Sequence, residues 1–448
     1  MKRLGIGLSI ALLSTLGAQA ADSFEEAVKN AKTSGQIRAF YIDRTYEGAI
    51  ENNRNSMAIG GSLGIETEQY KGLSVGMKYY TTNGLRIHDE SAATVGSAQY
   101  DPSLYGDGFE SYSVLGEAYL KYCFCDTGLT NTTITIGRQK LNTPLAAADD
   151  ARMLPNLFEA VVIANTDIKD TTLIGAHVLK EAVGTFGNVY GAGSQLSLQS
   201  GYGLGYKLGT SGEFADMGEI ALGEGADTDG VTAVAAIYTG IPGLKLQAWD
   251  YMAHDILNAV YLQGDYGWKC LLSDSVKMKA SAQYINQSDI GDKLAGEVDS
   301  AYIAGKLGAS IGGLSAYVAY STTDSSDGAQ ANGGIITPWG GIPAFTQGMV
   351  TRHMFFADTD TTKVAATYNF KNMGVNLKAS VYYTTFDVGA LNTYKAGTAW
   401  EAKESGFDIQ YQPKSVKNLH LRLRANYPTD FAPGVDWNEY RVIANYNF

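Results

Sequence analysis

Basic side chains recur at even spacings near the two ends of the chain. Arg422 and Arg424 are two residues apart, and Arg38 and Arg44 are six residues apart. Each pair would project from one face of a strand, because side chains along a strand alternate between its two faces. The like charges of Arg422 and Arg424 repel each other at a spacing of two residues, so their presence favours a surface that attracts anions. The alternative is a generally wet surface with charges of both signs.

A cluster of acidic and basic residues lies in the segment 141–157. It contains the adjacent pair Asp149 and Asp150, followed by Arg152. The two carboxylates could form an acidic surface opposite the basic one, or they could pair with Arg152 within a turn. They could also bind Ca²⁺, which prefers carboxylate and carbonyl oxygens. Beyond this Ca²⁺ alternative, the sequence indicates no cofactor.

Residue sets typical of enzymes and of metal centres are not visible in the sequence. The five histidines are scattered, and no Ser–His–Asp or Cys–His combination stands out. Cys123, Cys125 and Cys270 are too few for a disulfide scaffold and lack metal-ligand spacing. A disulfide between Cys270 and one of the other two would require their turns to meet. The net charge of −12 excludes a nucleic-acid binder that relies on bulk positive charge.

The N-terminus has the three parts of a secretory signal peptide. Lys2 and Arg3 form a positive region, an apolar stretch follows, and small residues precede Ala21 as at a cleavage site. We therefore expect residues 1–20 to be removed during export and residues 21–448 to form the mature protein. No later apolar run reaches the roughly 18 residues that a membrane-spanning helix needs.

One short helix is expected, and the rest of the composition favours strands. Ser23 and Glu26 have the spacing of a capping box, which predicts a helix over 22–34 on the periplasmic side, ending before Gly35. The chain has 52 glycines and 29 tyrosines but only 9 prolines. Its charged fraction is 18%, below the roughly 25% of soluble domains, which indicates strands that face an apolar medium.

From residue 36 onward, apolar and polar residues alternate with a period of two. The segment 419–427, Leu-His-Leu-Arg-Leu-Arg-Ala-Asn-Tyr, shows this most clearly, and the segments 375–384 and 438–448 repeat it. Alternation over about ten residues is typical of transmembrane β-barrel strands. The sequence contains eighteen such segments, with sixteen as the alternative. A soluble β-sandwich also alternates, but it would be expected to have more proline in its turns and more surface charge.

Short and long connections alternate between the predicted strands. Tight turns are expected at 71–73, 242–244, 312–314, 371–374 and 417–419. Long polar connections lie at 84–110, 141–157, 182–229, 324–360 and 387–399. Outer-membrane barrels have short periplasmic turns and long external loops. The sequence therefore predicts one all-β domain, a transmembrane antiparallel β-barrel whose lumen is filled with water.

The polar faces of the strands would line this lumen. By parity, seven basic residues, which we name the basic ladder, face inward on the first strand and the last strands: Arg38, Arg44, Lys378, His420, Arg422, Arg424 and Arg441. These strands become neighbours when the barrel closes, so the ladder would form one wall. Lys78, Lys245, Lys277 and Lys279 face inward elsewhere. Phe40 and Ile42 share the face of Arg38, which indicates either a bulge or apolar residues in the lumen.

Two stretches resemble the OprD-type substrate-specific porins of Gram-negative outer membranes. The segment 35–46, Gly-Gln-Ile-Arg-Ala-Phe-Tyr-Ile-Asp-Arg-Thr-Tyr, resembles the first strand of that family. The segment 137–140, Gly-Arg-Gln-Lys, together with 149–158, resembles its third loop, which folds into the barrel. The segment 23–27 is also similar to the start of the campylobacter-type major outer-membrane porins.

The resemblance implies roles for several residues. The segment 141–157, with Asp149, Asp150 and Arg152, would be the constriction loop, and the basic ladder would guide solutes that bear carboxylates. Phe448 would be the C-terminal signal that the barrel-assembly machinery recognises. The family resemblance leaves both a monomer and a homotrimer open.

The sequence thus predicts an outer-membrane porin for passive, charge-selective diffusion of small polar solutes such as carboxylates, amino-acid-like compounds and ions. Its expected partners are outer-membrane lipid, the assembly machinery and these solutes, without nucleic acid. The alternative is a surface adhesin whose porin activity is secondary. A barrel enzyme is disfavoured because no catalytic set stands out, and an active transporter because the helical segment is too short for a plug domain.

Overall fold

The computed structural model describes residues 21–48, 53–85, 87, 100–190, 193–205 and 207–448. The predicted signal peptide, residues 1–20, and most of the predicted loop between 84 and 100 lie outside the described residues. None of the helices in the described part of the chain is long and apolar enough to cross a membrane.

Eighteen long antiparallel strands form one closed sheet within the described residues. They are β1 (Lys32–Gly48), β2 (Asn53–Glu66), β3 (Leu73–Leu85), β4 (Tyr112–Cys123), β5 (Thr132–Gln139), β6 (Leu157–Asn165), β7 (Thr171–Ala182), β8 (Val231–Tyr238), β9 (Leu244–Ala253), β10 (Leu257–Cys270), β11 (Ser273–Ser288), β12 (Asp299–Ile311), β13 (Leu314–Thr323), β14 (Thr359–Asn369), β15 (Leu377–Val388), β16 (Trp400–Tyr411), β17 (Leu419–Thr429) and β18 (Val435–Asn447). A two-residue strand, Ala215–Asp216, extends the sheet beside β7.

The barrel closes where β1 pairs with β18, from Gln36 opposite Asn447 to Gly48 opposite Val435. Each other strand pairs with its neighbours in sequence, so no backbone edge is left unpaired along the seam. The predicted barrel of eighteen strands is confirmed, and the predicted turns and long loops fall at opposite ends of it.

The outer surface of the barrel is apolar, as the alternation predicts. Leu63, Ile303 and Val381 project outward and are 59%, 57% and 57% exposed. Exposure of this degree for outward apolar residues on separate strands is typical of a surface that contacts lipid chains. The buried apolar residues instead lie inside the barrel, where long loops pack against the inner faces of the strands.

The helices are few and short. Helix α1 is Phe24–Lys29, α2 is Gln195–Leu198 and α3 is Met217–Leu222. Short 3₁₀ turns lie at Pro102–Leu104, Asp107–Phe109, Phe124–Thr127, Thr185–Tyr190, Thr210–Gly212, Gln330–Gly333, His353–Phe355 and Phe370–Met373.

Helix α1 is shorter than the predicted segment 22–34. Its N-cap is as predicted, since the backbone N–H of Glu26 donates to Ser23 Oγ at 3.1 Å. The helix ends early because Lys32 already pairs with Glu66 in the sheet, and a strand backbone cannot continue a helix. The helix packs on the first short turn, where Glu68 N–H donates to the Ala27 carbonyl at 3.0 Å.

The cysteines do not form the cross-turn disulfide that the sequence left open. Cys123, the last residue of β4, is joined to Cys125 in the turn that follows. Cys270 is free and half-buried at the end of β10. The disulfide therefore closes a local turn and does not connect two parts of the barrel.

Gly61 lies where the backbones of β1 and β2 pair too closely for a side chain at that position. Its φ is +137°, and a Cβ there would overlap the Gln36 carbonyl oxygen, so we expect Gly61→Ala to cost about 2 kcal/mol or more. The measurement is the urea midpoint for folding into detergent micelles. Gly175→Ala is the control, because a Cβ at Gly175 meets no atom within 4 Å. Equal midpoints for the two variants would contradict the prediction.

Candidate functional site: the constricted lumen

Three long loops fold into the lumen and narrow it: loop 3 (140–156), loop 4 (183–230) and loop 7 (324–358). They hold one another inside the barrel. Trp339 of loop 7 donates its indole N–H to the Met217 carbonyl of loop 4 at 2.9 Å, and its own carbonyl accepts from Ala147 N–H of loop 3 at 2.9 Å. The prediction that the third loop folds inward is confirmed, and loops 4 and 7 join it.

Glu439 on β18 is the centre of a buried ion network. Arg44 Nε of β1 donates to its carboxylate at 2.8 Å, Arg441 Nε lies 2.9 Å from it, and Arg152 Nη2 of loop 3 lies 3.3 Å from it. Asp101 adds a second carboxylate 3.5 Å from Arg44 Nη2. All five side chains are at most 3% exposed, so the network connects the closure seam, the segment near Asp101 and loop 3.

Asp150 of loop 3 contacts the basic ladder directly. Arg38 Nη1 donates to Asp150 Oδ1 at 2.7 Å, and Lys140 Nζ lies 3.2 Å from Oδ2. Burial raises the pKa of Asp150, but Arg38 and Lys140 outweigh burial and lower that pKa to about 2. The acidic surface predicted opposite the ladder is not separated from it at Arg38, because the ion pair of Arg38 with Asp150 fixes the loop to the wall.

Asp149 points away from Asp150. Its carboxylate accepts from Arg352 Nη2 of loop 7 and from the Tyr202 hydroxyl of loop 4, both at 2.7 Å. Arg152 pairs with neither aspartate, since its partners are Glu439 and Ser103, so the self-contained turn considered from the sequence is not formed. A Ca²⁺ ion at this pair would have to displace these cations. The described residues contain no group of three or more metal-ligating side chains.

Loop 7 is held to the inner wall by side chains of the strands. Glu404 of β16 accepts from the backbone N–H groups of Met349, Val350 and Thr351, the last at 2.7 Å. Lys363 of β14 donates to a loop carbonyl, that of Gln347. The wall therefore supplies partners for loop backbone groups that water cannot reach.

The remaining members of the basic ladder are more accessible. Arg422 makes a bidentate contact with Asp408 of β16, with Nε at 2.8 Å, and Arg424 Nε lies 4.0 Å from the same carboxylate. The Arg422 side chain is 35% exposed, against 9% for Arg38. Lys378 and His420 lie near the end of the barrel that has the short turns. The ladder thus has a buried part that holds loops and an accessible part that faces the lumen.

Phe40 and Ile42 are apolar residues of the lumen and not the sign of a bulge. The pairing of β1 with both neighbours is continuous through them. Both are buried in a cluster with Leu104, Met153 and Leu154, which belong to segments folded inside the barrel. An inward apolar pair is therefore stable here because loop 3 covers it.

An open cavity of about 500 Å³ lies between loop 3 and the inner wall, which is formed there mainly by β2–β7. Its charged lining residues are of both signs: Glu66, Lys78, Glu117, Lys121 and Lys140. This part of the lumen is therefore accessible and polar, and its charged lining is mixed, with three lysines and two glutamates.

The sequence did not indicate the carboxylates that pair with the ladder, Asp101, Asp408 and Glu439. It also did not indicate the inward residues that contact loop 7, Glu404, Lys306 and Lys363. Glu439 shares the face of Arg441, and Asp408 and Arg422 are inward on adjacent strands, so parity could have indicated both ion pairs. No local pattern could have indicated the contact of Asp150 with Arg38, because it depends on the path of loop 3.

Glu439→Gln should destabilise the barrel strongly. It would leave Arg44, Arg152 and Arg441 buried around a neutral group, and removal of one partner from a buried ion pair costs about 3–5 kcal/mol. The measurement is the free energy of unfolding in urea and detergent. Glu401→Gln is the control, because its pair with Lys403 is 44% and 40% exposed and should contribute under about 1 kcal/mol. If the free energy of unfolding of Glu439→Gln is not lower than that of Glu401→Gln, the network does not stabilise the barrel as predicted.

His353 should make the packing of loop 7 sensitive to acid. Burial lowers its pKa to about 4, opposed by the hydrogen bond to the Phe431 carbonyl, against an ordinary value of 6.5. The unfolded chain therefore binds the proton first, and roughly 3 kcal/mol of stability should be lost as the pH falls from 6.5 to 4. The measurement is the urea midpoint against pH. His353→Phe should flatten this slope, and an unchanged slope in His353→Phe would refute the assignment.

The comparisons with known proteins agree with this architecture. The family model of the outer membrane porins of the OprD family matches residues 25–448. No curated protein sequence matches the chain. Among solved structures, OccK9 (OpdG) of Pseudomonas aeruginosa is 20% identical with a TM-score of 0.74, covering 94% of this chain and 99% of its own.

Two further solved structures were obtained with small molecules. OpdK of P. aeruginosa with vanillate is 17% identical with a TM-score of 0.73, covering 94% of this chain and 99% of its own. OccK2 (OpdF) of P. aeruginosa in complex with glucuronate is 15% identical with a TM-score of 0.70, covering 94% and 97%. At these identities the structures show a shared fold. With a family match over nearly the whole chain, a closed barrel and an inward third loop, this protein belongs to the OprD family of outer-membrane porins of Gram-negative bacteria.

Proposed function

We propose that the lumen passes small solutes that bear carboxylates, amino-acid-like compounds and inorganic anions, by passive diffusion. The observation that supports this most is the accessible part of the basic ladder, in which Arg422 is 35% exposed beneath the loops. Basic groups on the wall of a narrow aqueous passage favour anions and orient dipolar solutes. The vanillate and glucuronate of the two solved relatives are carboxylates, which is consistent with this solute class.

In this proposal the two parts of the ladder have different roles. Arg422, Arg424, Lys378 and His420 would contact the solute. Arg38, Arg44 and Arg441 would act indirectly, because they hold loop 3 and the seam in the positions that set the width of the passage. The proposed function is passage without chemical conversion, and it requires no cofactor.

The proposal includes the route of the protein to the membrane and its assembly state. Residues 1–20 would direct export and be removed. Phe448 would be read by the barrel-assembly machinery; it is the final residue, its backbone pairs with Gly35, and its side chain is 51% exposed. A monomer and a homotrimer are both compatible with a single closed barrel, and analytical ultracentrifugation in detergent distinguishes them.

Reversal potentials across a KCl gradient in planar bilayers test the solute class. We expect the pure protein to conduct with a preference for chloride over potassium. Arg422→Gln combined with Arg424→Gln should reduce that preference, because it removes two cations and leaves the Asp408 carboxylate without its ion pairs.

Lys403→Gln is the matched control, because it also removes a positive charge but lies beside Glu401 on the outward face of β16. Circular dichroism would show that each variant folds. The absence of channel current would contradict a diffusion channel, and a preference for potassium in the unmodified protein would contradict the proposed solute class.

A further inference from the structure

Four lysines project into the lumen from strands outside the basic ladder. They are Lys245 on β9, Lys279 on β11, Lys306 on β12 and Lys363 on β14. Each is two positions from a buried residue on the inward face of its own strand: Gln247, Ser281, Ala304 and Thr361. Since side chains two apart on a strand share a face, all four lysines face the lumen.

The strand register places three of these lysines on one line across the sheet. Lys245 is opposite Asp265, which is opposite Ser281, which is opposite Lys306. Lys306 in turn is opposite Ala319, and Ala319 is opposite Lys363. With neighbouring strands about 4.8 Å apart, Lys306 and Lys363 are separated by roughly 10 Å along this line.

The line crosses the barrel from one end toward the other. Lys245 is the second residue of β9 and lies next to the short turn that precedes it. Lys363 is the fifth residue of β14 and lies close to loop 7, which precedes that strand. The strands of a barrel are tilted, so a line perpendicular to them rises along the wall. The lysines therefore follow a path from the short-turn end of the lumen up to loop 7.

Neither of the upper two lysines forms a direct ion pair in the described residues, although Glu404 attracts Lys363 and Asp265 attracts Lys306 from a longer distance. Lys306 Nζ lies 4.0 Å from the centre of the Phe345 ring, and Lys363 Nζ donates to the Gln347 carbonyl and lies 4.8 Å from the centre of the Tyr382 ring. Aromatic faces and carbonyl oxygens stabilise a cation without cancelling its charge. Of the four lysines, only Lys279 forms an ion pair within the described residues, with Asp265 at 2.9 Å.

The basic ladder differs in this respect. Arg38, Arg44 and Arg441 are ion-paired and nearly buried, and Arg422 is paired with Asp408. At these positions an anion in the lumen would meet arginines that are already paired with carboxylates. The half-buried ammonium groups of Lys306 and Lys363 instead contact rings and a carbonyl and have no ion-paired carboxylate in the described residues.

We propose that Lys245, Lys279, Lys306 and Lys363 form a cationic track that binds anionic solutes between loop 7 and the short-turn end, with Lys306 and Lys363 contacting the solute beside loop 7. This inference rests on the proposed function, because it assigns the anion-binding residues of that passage. The Phe345 and Tyr382 rings beside the two lysines would favour an anion that also has an apolar face.

The experiment compares Lys306→Gln combined with Lys363→Gln against the unmodified protein in planar bilayers under a KCl gradient. We expect the permeability ratio of chloride to potassium to fall at least about twofold. The Lys306→Arg, Lys363→Arg double variant should retain the ratio because it retains both charges. Lys403→Gln should retain it because that side chain lies outside the lumen.

The outcomes separate the track from a purely structural role for the two lysines. If they only hold loop 7, the glutamine variant would show changed conductance or unstable current with an unchanged permeability ratio, and the track would be refuted. If the unmodified protein prefers anions and only the Arg422 and Arg424 variant loses that preference, the track is wrong and the proposed function stands. If the unmodified protein has no preference for chloride, both proposals are wrong.

Discussion

The buried carboxylate of Glu439 is the interaction on which the rest of the lumen depends. It is shared by Arg44 of the first strand, Arg441 of its own strand and Arg152 of loop 3. Loss of any one of these groups would leave an unpaired charge in a site without water, which costs several kcal/mol. Closure of the barrel and the position of loop 3 are therefore coupled, and the width of the lumen follows from that coupling.

A barrel of eighteen strands is too wide to be filled by its own side chains, so its selectivity must come from what folds inside it. Loops that enter the lumen bring backbone polar groups with them, and each needs a partner. Glu404 accepts three loop amides, and Lys363 donates to a loop carbonyl. The inward polar faces thus serve two purposes, since the same wall must hold the loops and present charge to the solute.

The strands could be predicted because their outer faces meet a uniform apolar medium, which imposes a period of two along nearly the whole chain. The inner faces obey no such rule. Phe40 and Ile42 are apolar because loop 3 covers them. On β12 the inward Tyr302 and Ala304 are buried, Tyr302 against Phe355 of loop 7, and these apolar residues hide the alternation beside Lys306. The extent of helix α1 was overestimated because the pairing of Lys32 with Glu66 outweighs local helix signals. Contacts between loops and wall depend on loop paths, which no local pattern encodes.

The acidic net charge of the chain does not describe its lumen, because many of the inward carboxylates are paired with inward cations. Glu439, Asp408 and Asp150 each neutralise arginines of the ladder, and Asp265 neutralises Lys279. The wall near β2–β5 is mixed, with Glu66 and Glu117 beside Lys78 and Lys121. Lys306 and Lys363, which form no ion pair in the described residues, lie together in one sector of the circumference. An asymmetric wall of this kind holds the negative end of a solute to one side, so it orients a dipolar solute, whereas a uniformly positive wall would only attract it.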